Sequence, residues 1–225
     1  MTDAVLERLP PDLRPLAATL LPRRVARMLD VLDRRLGSVV LVVEAVRKRH
    51  NVSAILRTAD AFGLHEVHLV SGGFRPSHGA ARGSERWLHL VRCPSIAASV
   101  SGLRTRGFRI AVADLGPACW TPETVPVDRP LAILFGSELT GVSAEAHALA
   151  DGTVHVPMHG FVESLNVSVA AALVTRSVAE RRRAVAGADL DPVARRAALE
   201  AWVRRESTWM SAARVRHGLD PPPGT

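Results

Sequence analysis

The 225-residue chain has no tyrosine, a single lysine (Lys48) and two cysteines, Cys93 and Cys119. Two cysteines provide neither a disulfide framework nor a metal-ligand cluster. The closest histidine pairs, His65/His68 and His155/His159, have no companion ligands nearby, so no metal is expected. No apolar run is long enough to span a bilayer. Residues 1–20 mix acidic residues with prolines and lack a signal-peptide layout. These absences point to a soluble, cytoplasmic protein without a membrane partner. No Gly-x-Gly-x-x-Gly follows the first candidate strand, which argues against an ordinary dinucleotide fold. The stretch Gly136–Gly141 has the glycine spacing of a phosphate loop. Val142-Ser143 then stands where Lys-Ser/Thr is required, so no lysine reaches a phosphate.

What is present is a substantial apolar fraction, 47%, and a net charge of +7 that is unevenly placed. Residues 1–50 hold ten Lys/Arg against six Asp/Glu, residues 51–175 nine against ten, and residues 176–217 ten against five. Basic ends around a neutral middle suit a central domain that does chemistry while the flanks hold a polyanion. An arginine-rich solvated surface is the plainer reading, and charge alone does not separate the two.

Residues 15–36 read as one amphipathic helix, with Val25, Met28, Leu29, Leu32 and Leu36 on its apolar face and Gly37 as its stop. Beyond it, short apolar runs alternate with helical patterns. The candidate strands are Val39–Val43, Glu66–Val70, Leu88–Val91, Ile110–Ala113, Leu131–Phe135 and Val154–Val156. Helical patterns fall at 51–62, 95–105, 143–149 and 166–185. This alternation predicts an α/β fold, a mostly parallel sheet flanked by helices, with ligands beyond the carboxyl ends of the strands. Residues 72–83 read as a loop, 192–217 as a last helix and 221–224 as a frayed tail. The expected division is a basic helical extension over 1–37, a catalytic domain over 38–185 and a second basic extension and tail over 186–225. In the last helix Trp202 and Trp209 stand seven residues apart, a spacing that more often means helix packing than base stacking.

Three segments stand out. The first is Asn51-Val-Ser-Ala-Ile-Leu-Arg57-Thr-Ala-Asp-Ala-Phe-Gly63. The second is Leu134-Phe-Gly-Ser-Glu138-Leu-Thr-Gly141. The third is Val156-Pro-Met-His-Gly160 with Ser164-Leu-Asn166-Val-Ser-Val-Ala-Ala. Each residue has a plain reading by itself. Asn51 can cap a helix. Arg57 lies off the face made by Val52, Ile55, Leu56, Ala59 and Phe62, as a solvated arginine does. Glu138 can cap a helix or sit in a loop, Ser164 and Asn166 can cap the helix that follows, and the glycines can be turn residues.

Taken together, in this order and spacing, the segments resemble the three motifs of the SpoU/TrmH family of the SPOUT superfamily, over roughly residues 20–185. The lead-in Val43–Ala61 is most similar to the tRNA-modifying branch of that family. The resemblance implies a deep trefoil knot, a homodimer and S-adenosylmethionine as methyl donor. It implies 2′-O-methylation of a guanosine ribose in the tRNA D-loop, at position 18 in tRNA numbering. Carried over, the catalytic group is Arg57 with Asn51, Glu138, Ser164 and Asn166, and the cofactor contacts fall at Ala113, Gly136, Val156 and Leu165. The sequence departs from the pattern at Arg49, where relatives often have proline, and across Asp114–Thr124, beside the implied cofactor loops. Two other readings compete: the same chemistry on ribosomal RNA, and a knotted RNA-binding protein without catalysis. Too few residues precede the first motif for the separate RNA-binding domain that ribosomal RNA enzymes often carry.

Overall fold

A computed structural model of the chain describes residues 5, 7–70, 83–116 and 119–216. The loop expected over 72–83, except Gly83, and the tail expected over 221–224 lie outside the described residues. The chain divides into two compact units, Arg35–Asp189 and Met1–Arg34 with Leu190–Thr225.

The larger unit is built on seven strands: β1 (Leu36–Glu44), β2 (Leu64–Val70), β3 (His89–Cys93), β4 (Arg109–Ala113), β5 (Cys119–Trp120), β6 (Leu131–Phe135) and β7 (Gly152–Val154). Their order is β3-β2-β1-β6-β4-β7-β5, and every pairing is parallel. β2 and β6 are buried at every residue, which is why they read as continuous apolar runs and not as alternating ones. Two apolar cores cover the two faces. One packs Val52, Ile55, Leu56 and Ala59 with Val174 and Val178 against Leu41, Ile133 and Phe135. The other packs Ile96, Val100 and Leu103 against Val40, Val42 and Leu134. Among the described residues, no helix is long and apolar enough to cross a membrane.

Three charged anchors fix this frame. Asp189 accepts from the Gly37 and Ser38 backbone amides and from Ser38 Oγ, where the β1–β2 register shifts. Arg182 donates to Ser38 Oγ and to Val127 O. Arg35, fully buried, donates to Leu64 O, Asp60 Oδ1 (2.6 Å) and Trp87 O.

The amphipathic helix expected over 15–36 is interrupted. It consists of α1 (Arg14–Ala17) and α2 (Pro22–Leu32). Pro22 has no N–H to donate, and its ring holds Leu21 in an extended conformation (φ −66°, ψ 135°), so it can only begin a helix. Val25, Met28, Leu29 and Leu32 are buried as the periodicity requires. Leu36 is buried too, but as the first residue of β1, and Gly37 lies inside that strand rather than stopping a helix. The last strand also differs: β7 ends at Val154, so Val156 lies beyond it in irregular chain. In the smaller unit, α1 and α2 pack on the C-terminal helix Pro192–Arg216. Trp202 is buried in that helix, while Trp209, two turns on, is exposed.

Candidate active site

The chain leaves β6 through a turn that closes on itself. Ser137 and Gly141 exchange both backbone hydrogen bonds at 2.9 Å. A Cβ on Gly136 would lie 2.2 Å from Gly141 O and 2.4 Å from Val142 N, so only glycine fits. Gly141 takes φ +67°. The far end of the turn is pinned by Glu44, the last residue of β1, whose Oε2 accepts from Ser143 N at 3.0 Å. Glu138 is therefore held at the tip of a rigid loop at the carboxyl end of the sheet, where the strand order reverses.

Asn51 meets it from α3 (Arg49–Ala61). That helix begins with Lys48 at the cap position, so Asn51 is not a cap. It stands in the first turn, 2% exposed, with its amide free for other work. Asn51 Nδ2 donates to Glu138 Oε1 at 2.5 Å, and Asn51 Oδ1 accepts from Asn166 Nδ2 at 3.3 Å. Asn166 does cap its helix, α4 (Val167–Ala186), accepting from Ser168 N at 2.9 Å and Ser168 Oγ at 2.6 Å. One hydrogen-bonded chain, Glu138–Asn51–Asn166–Ser168, thus joins segments that are 87 and 115 residues apart in sequence.

Immediately before Asn166, the chain forms one wall of an open cleft of about 150 Å³. Ala113, Val156, Ser164 and Leu165 all line it, with Asp114, Met158 and others. Gly136 is not among the lining residues. The walls are chiefly apolar, with two carboxylates, Asp114 and Glu163. Asp114 is itself held, accepting from Leu115 N at 2.7 Å and lying 3.0 Å from His147 Nε2.

This arrangement has known counterparts. A match to the SpoU rRNA methylase family runs over residues 38–176. The chain belongs to that family. The tRNA (guanosine(18)-2′-O)-methyltransferase of Escherichia coli strain K12 is 43% identical over 168 residues, which is 74% of this chain and 73% of that enzyme. The crystal structure of the A. aeolicus TrmH/SpoU tRNA modifying enzyme superposes with a TM-score of 0.75 at 28% identity, over 82% of this chain and 96% of that one. The SpoU methyltransferase AviRb from Streptomyces viridochromogenes, in complex with the cofactor AdoMet, superposes with a TM-score of 0.58 at 25% identity, over 68% and 62% of the two chains.

In this SpoU family member Arg57 stands apart from the network. It lies on the exposed side of α3, and among the described residues its guanidinium has no hydrogen-bond or ion-pair partner. Arg47, Lys48 and Arg49, at the entrance to the same helix, are exposed as well. Sequence reasoning missed Glu44 and Glu163, and set Asp114 beside the cofactor loops without giving its carboxylate a role. Glu44 carried a usable signal: a carboxylate ending an otherwise apolar strand needs a partner. Glu163 carried none, since its place on the cleft depends on how the loops converge. The His65/His68 pair has local duties. His65 stacks on His89 with ring centroids 5.7 Å apart, and His68 lies 2.8 Å from Glu66 Oε1.

Proposed function

We propose that this chain transfers a methyl group from S-adenosylmethionine to the ribose 2′-oxygen of guanosine 18 in the D-loop of tRNA. The observation that carries the reading is the Glu138–Asn51–Asn166 chain, which joins the three motif segments beside one apolar cleft. The cleft suits the methyl donor. Ala113, Val156, Leu165 and Met158 offer apolar contact to a planar ring, and Asp114 and Glu163 favour a cationic ligand. The cleft, about 150 Å³, is smaller than the roughly 300–1,000 Å³ of most ligand sites, so it would hold only part of the donor. When bound, the donor supplies a methyl carbon on an already activated sulfonium. The tasks left to the protein are alignment and charge stabilisation.

Arg57 performs the second task. A guanidinium offers five N–H donors and no acceptor, so it stabilises the developing 2′-alkoxide and an adjacent phosphate, while the 2′-hydroxyl proton passes to solvent water at this exposed face. Its lack of a protein partner leaves those donors for the substrate. Asn51, Glu138 and Asn166 are positioning residues that hold α3 and the two loops in one geometry, and Ser164 faces the cleft beside them. Gly136 acts through the shape of its turn.

The cofactor loops form a trefoil knot, and the enzyme works as a homodimer in the cytoplasm. The second copy covers apolar side chains that are exposed in the single chain: Leu139, Phe161 and Val162 on the motif loops, and Val169 and Leu173 on α4. Residues 38–185 carry the chemistry, and the extensions over 1–37 and 186–225 grip tRNA phosphates. In the smaller unit most arginines near acidic residues are already paired: Arg8 with Asp30 and Asp33, Arg24 with Glu206, and Arg196 with Asp12. Arg23 and Arg27, one turn apart on α2, are exposed and have no such partner among the described residues. They are the grip.

The deciding experiment incubates the purified protein with radiolabelled S-adenosylmethionine and unmodified tRNA transcripts and maps the labelled nucleotide. Label as 2′-O-methylguanosine at position 18 is the expected result. Label on ribosomal RNA alone overturns the substrate, and label on neither overturns the activity.

A further inference from the structure

Each of the two cysteines lies beside a histidine, and the two pairs are built differently. Cys93 is partly buried, and burial pushes its thiol up. Its histidine is already committed: His68 Nδ1 lies 2.7 Å from Ser99 Oγ and 3.5 Å from Cys93 Sγ, while Nε2 is held by Glu66. Cys119 lies on β5, an edge strand with one neighbour. Its Sγ is 2.8 Å from His155 Nδ1, closer than its contacts to Asp114 O (3.8 Å) and Trp120 O (3.7 Å). The pair is pinned by backbone bonds. Cys119 pairs with Thr153 across β5 and β7, and His155 N donates to Trp120 O at 2.9 Å. Both side chains are half-buried, and His155 lines the proposed cofactor cleft.

We propose that Cys119 and His155 form a thiol–disulfide exchange site that takes small-molecule disulfides and closes the cleft to the cofactor when occupied. The thiolate is the reactive species, and an imidazole at hydrogen-bond distance is the group that generates it. His155 Nδ1 takes the Cys119 proton. Sγ attacks one sulfur of the incoming disulfide, a new S–S bond forms and the old one breaks. The departing sulfur leaves as a thiolate and collects the proton from the imidazolium. The incoming disulfide is the oxidant, and the products are a mixed disulfide on Cys119 and one free thiol. The adduct stands against His155, on the wall of the cleft. The closing of the cleft rests on the cofactor reading above; the reactivity of the thiol does not.

The test treats the reduced full-length protein with oxidised glutathione and follows adducts by intact mass and peptide mapping. Cys119 is expected to react at least about tenfold faster than Cys93, the spread that thiol environment commonly produces. Cys119→Ser removes the fast adduct. His155→Gln slows it about tenfold, the loss expected when a paired base is removed, and leaves the Cys93 rate unchanged. Because unfolding exposes both thiols, the Cys93 rate reports any loss of structure. A second variant, His155→Asn, replaces the first if that rate rises. Equal rates for the two cysteines, or a Cys119 rate indifferent to His155 in a folded variant, overturns the proposal. Calorimetry with S-adenosylmethionine, before and after modification, tests the closure. Wild type loses at least about tenfold in affinity, and treated Cys119→Ser keeps it. Unchanged affinity after full modification of Cys119 overturns the closure. If untreated protein fails to bind the cofactor at all, the cofactor reading fails, while the two thiol rates still decide the exchange site.

Discussion

Arg35 and Arg57 belong to the same unit and serve opposite ends. Arg35 is fully buried and spends its donors on Leu64 O, Asp60 and Trp87 O. Arg57 is exposed and has no partner among the described residues. Arg35 offsets its desolvation cost through the acceptors that meet its two terminal nitrogens, so it serves the fold. Arg57 makes no such contact among the described residues, and in the proposed reaction its donors serve the substrate anion. The same contrast separates two polar clusters. Glu66–His68–Arg106 draws on residues within 40 positions of one another: Glu66 and His68 are buried on β2, and Arg106 reaches in from an exposed turn. Glu138–Asn51–Asn166 is mostly neutral amide, drawn from three distant segments at the strand ends.

The sharpest test of this contrast is Arg57→Ala. Methyl transfer is expected to fall by at least about 10²–10³-fold, the loss usual for one transition-state donor. The melting temperature and cofactor affinity should stay unchanged. A variant that keeps substantial turnover removes Arg57 from the mechanism. The converse change, Asp60→Ala, strands the buried Arg35 charge. It should cost roughly 3 kcal/mol of stability in denaturant unfolding. If that loss is absent, Arg35 is not the anchor its burial implies.

The charged cluster predicts a pH response. Burial raises Glu66, but the hydrogen bonds from His68 and Arg106 outweigh it and hold the carboxyl at about 2. His65 is lowered to about 4 by burial and by neighbouring His89. In both cases the unfolded chain binds the proton more readily. Stability should therefore fall as pH drops, from 6.5 toward 4 for His65 and from 4.5 toward 2 for Glu66. Each contributes about 3 kcal/mol. Glu66→Gln should flatten the lower window alone; an unaltered acid limb in urea titrations would contradict it.

A smaller effect is expected from Arg23→Ala with Arg27→Ala. This pair should lower tRNA affinity and reduce the slope of log affinity against log salt by about 0.9 per arginine. Unchanged slopes would move the RNA grip elsewhere. The smallest effect concerns Ala45, which follows β1 in the left-handed region at φ +52°. Ala45→Gly relieves that strain and should gain somewhat under about 1 kcal/mol, net of the entropy glycine adds to the unfolded chain. A destabilised variant would mean that the Ala45 methyl packs more than it strains.

Five strands and the helix behind each motif were legible in the sequence, because a parallel sheet covered on both faces writes itself as continuous apolar runs between 3.6-period segments, whereas the strand expected at Val154–Val156 shares only Val154 with β7. β5 escaped notice because two residues, Cys119 and Trp120, carry no pattern. The break at Pro22 was legible in principle, but the apolar stripe on both sides of it suggested one helix.

The sequence by itself determined the α/β fold, the family and the residue types at the site, since these reside in local periodicity and in motif order. Only the tertiary structure decided that Asn51 binds Glu138 rather than capping its helix. It also set the Asp114 and Glu163 carboxylates on the cleft wall, and among the described residues it left Arg57 without a partner where Arg35 meets three acceptors. The physical reason is that a side chain's hydrogen bonds depend on what other segments bring within about 3 Å of it, and no periodicity along the chain encodes that.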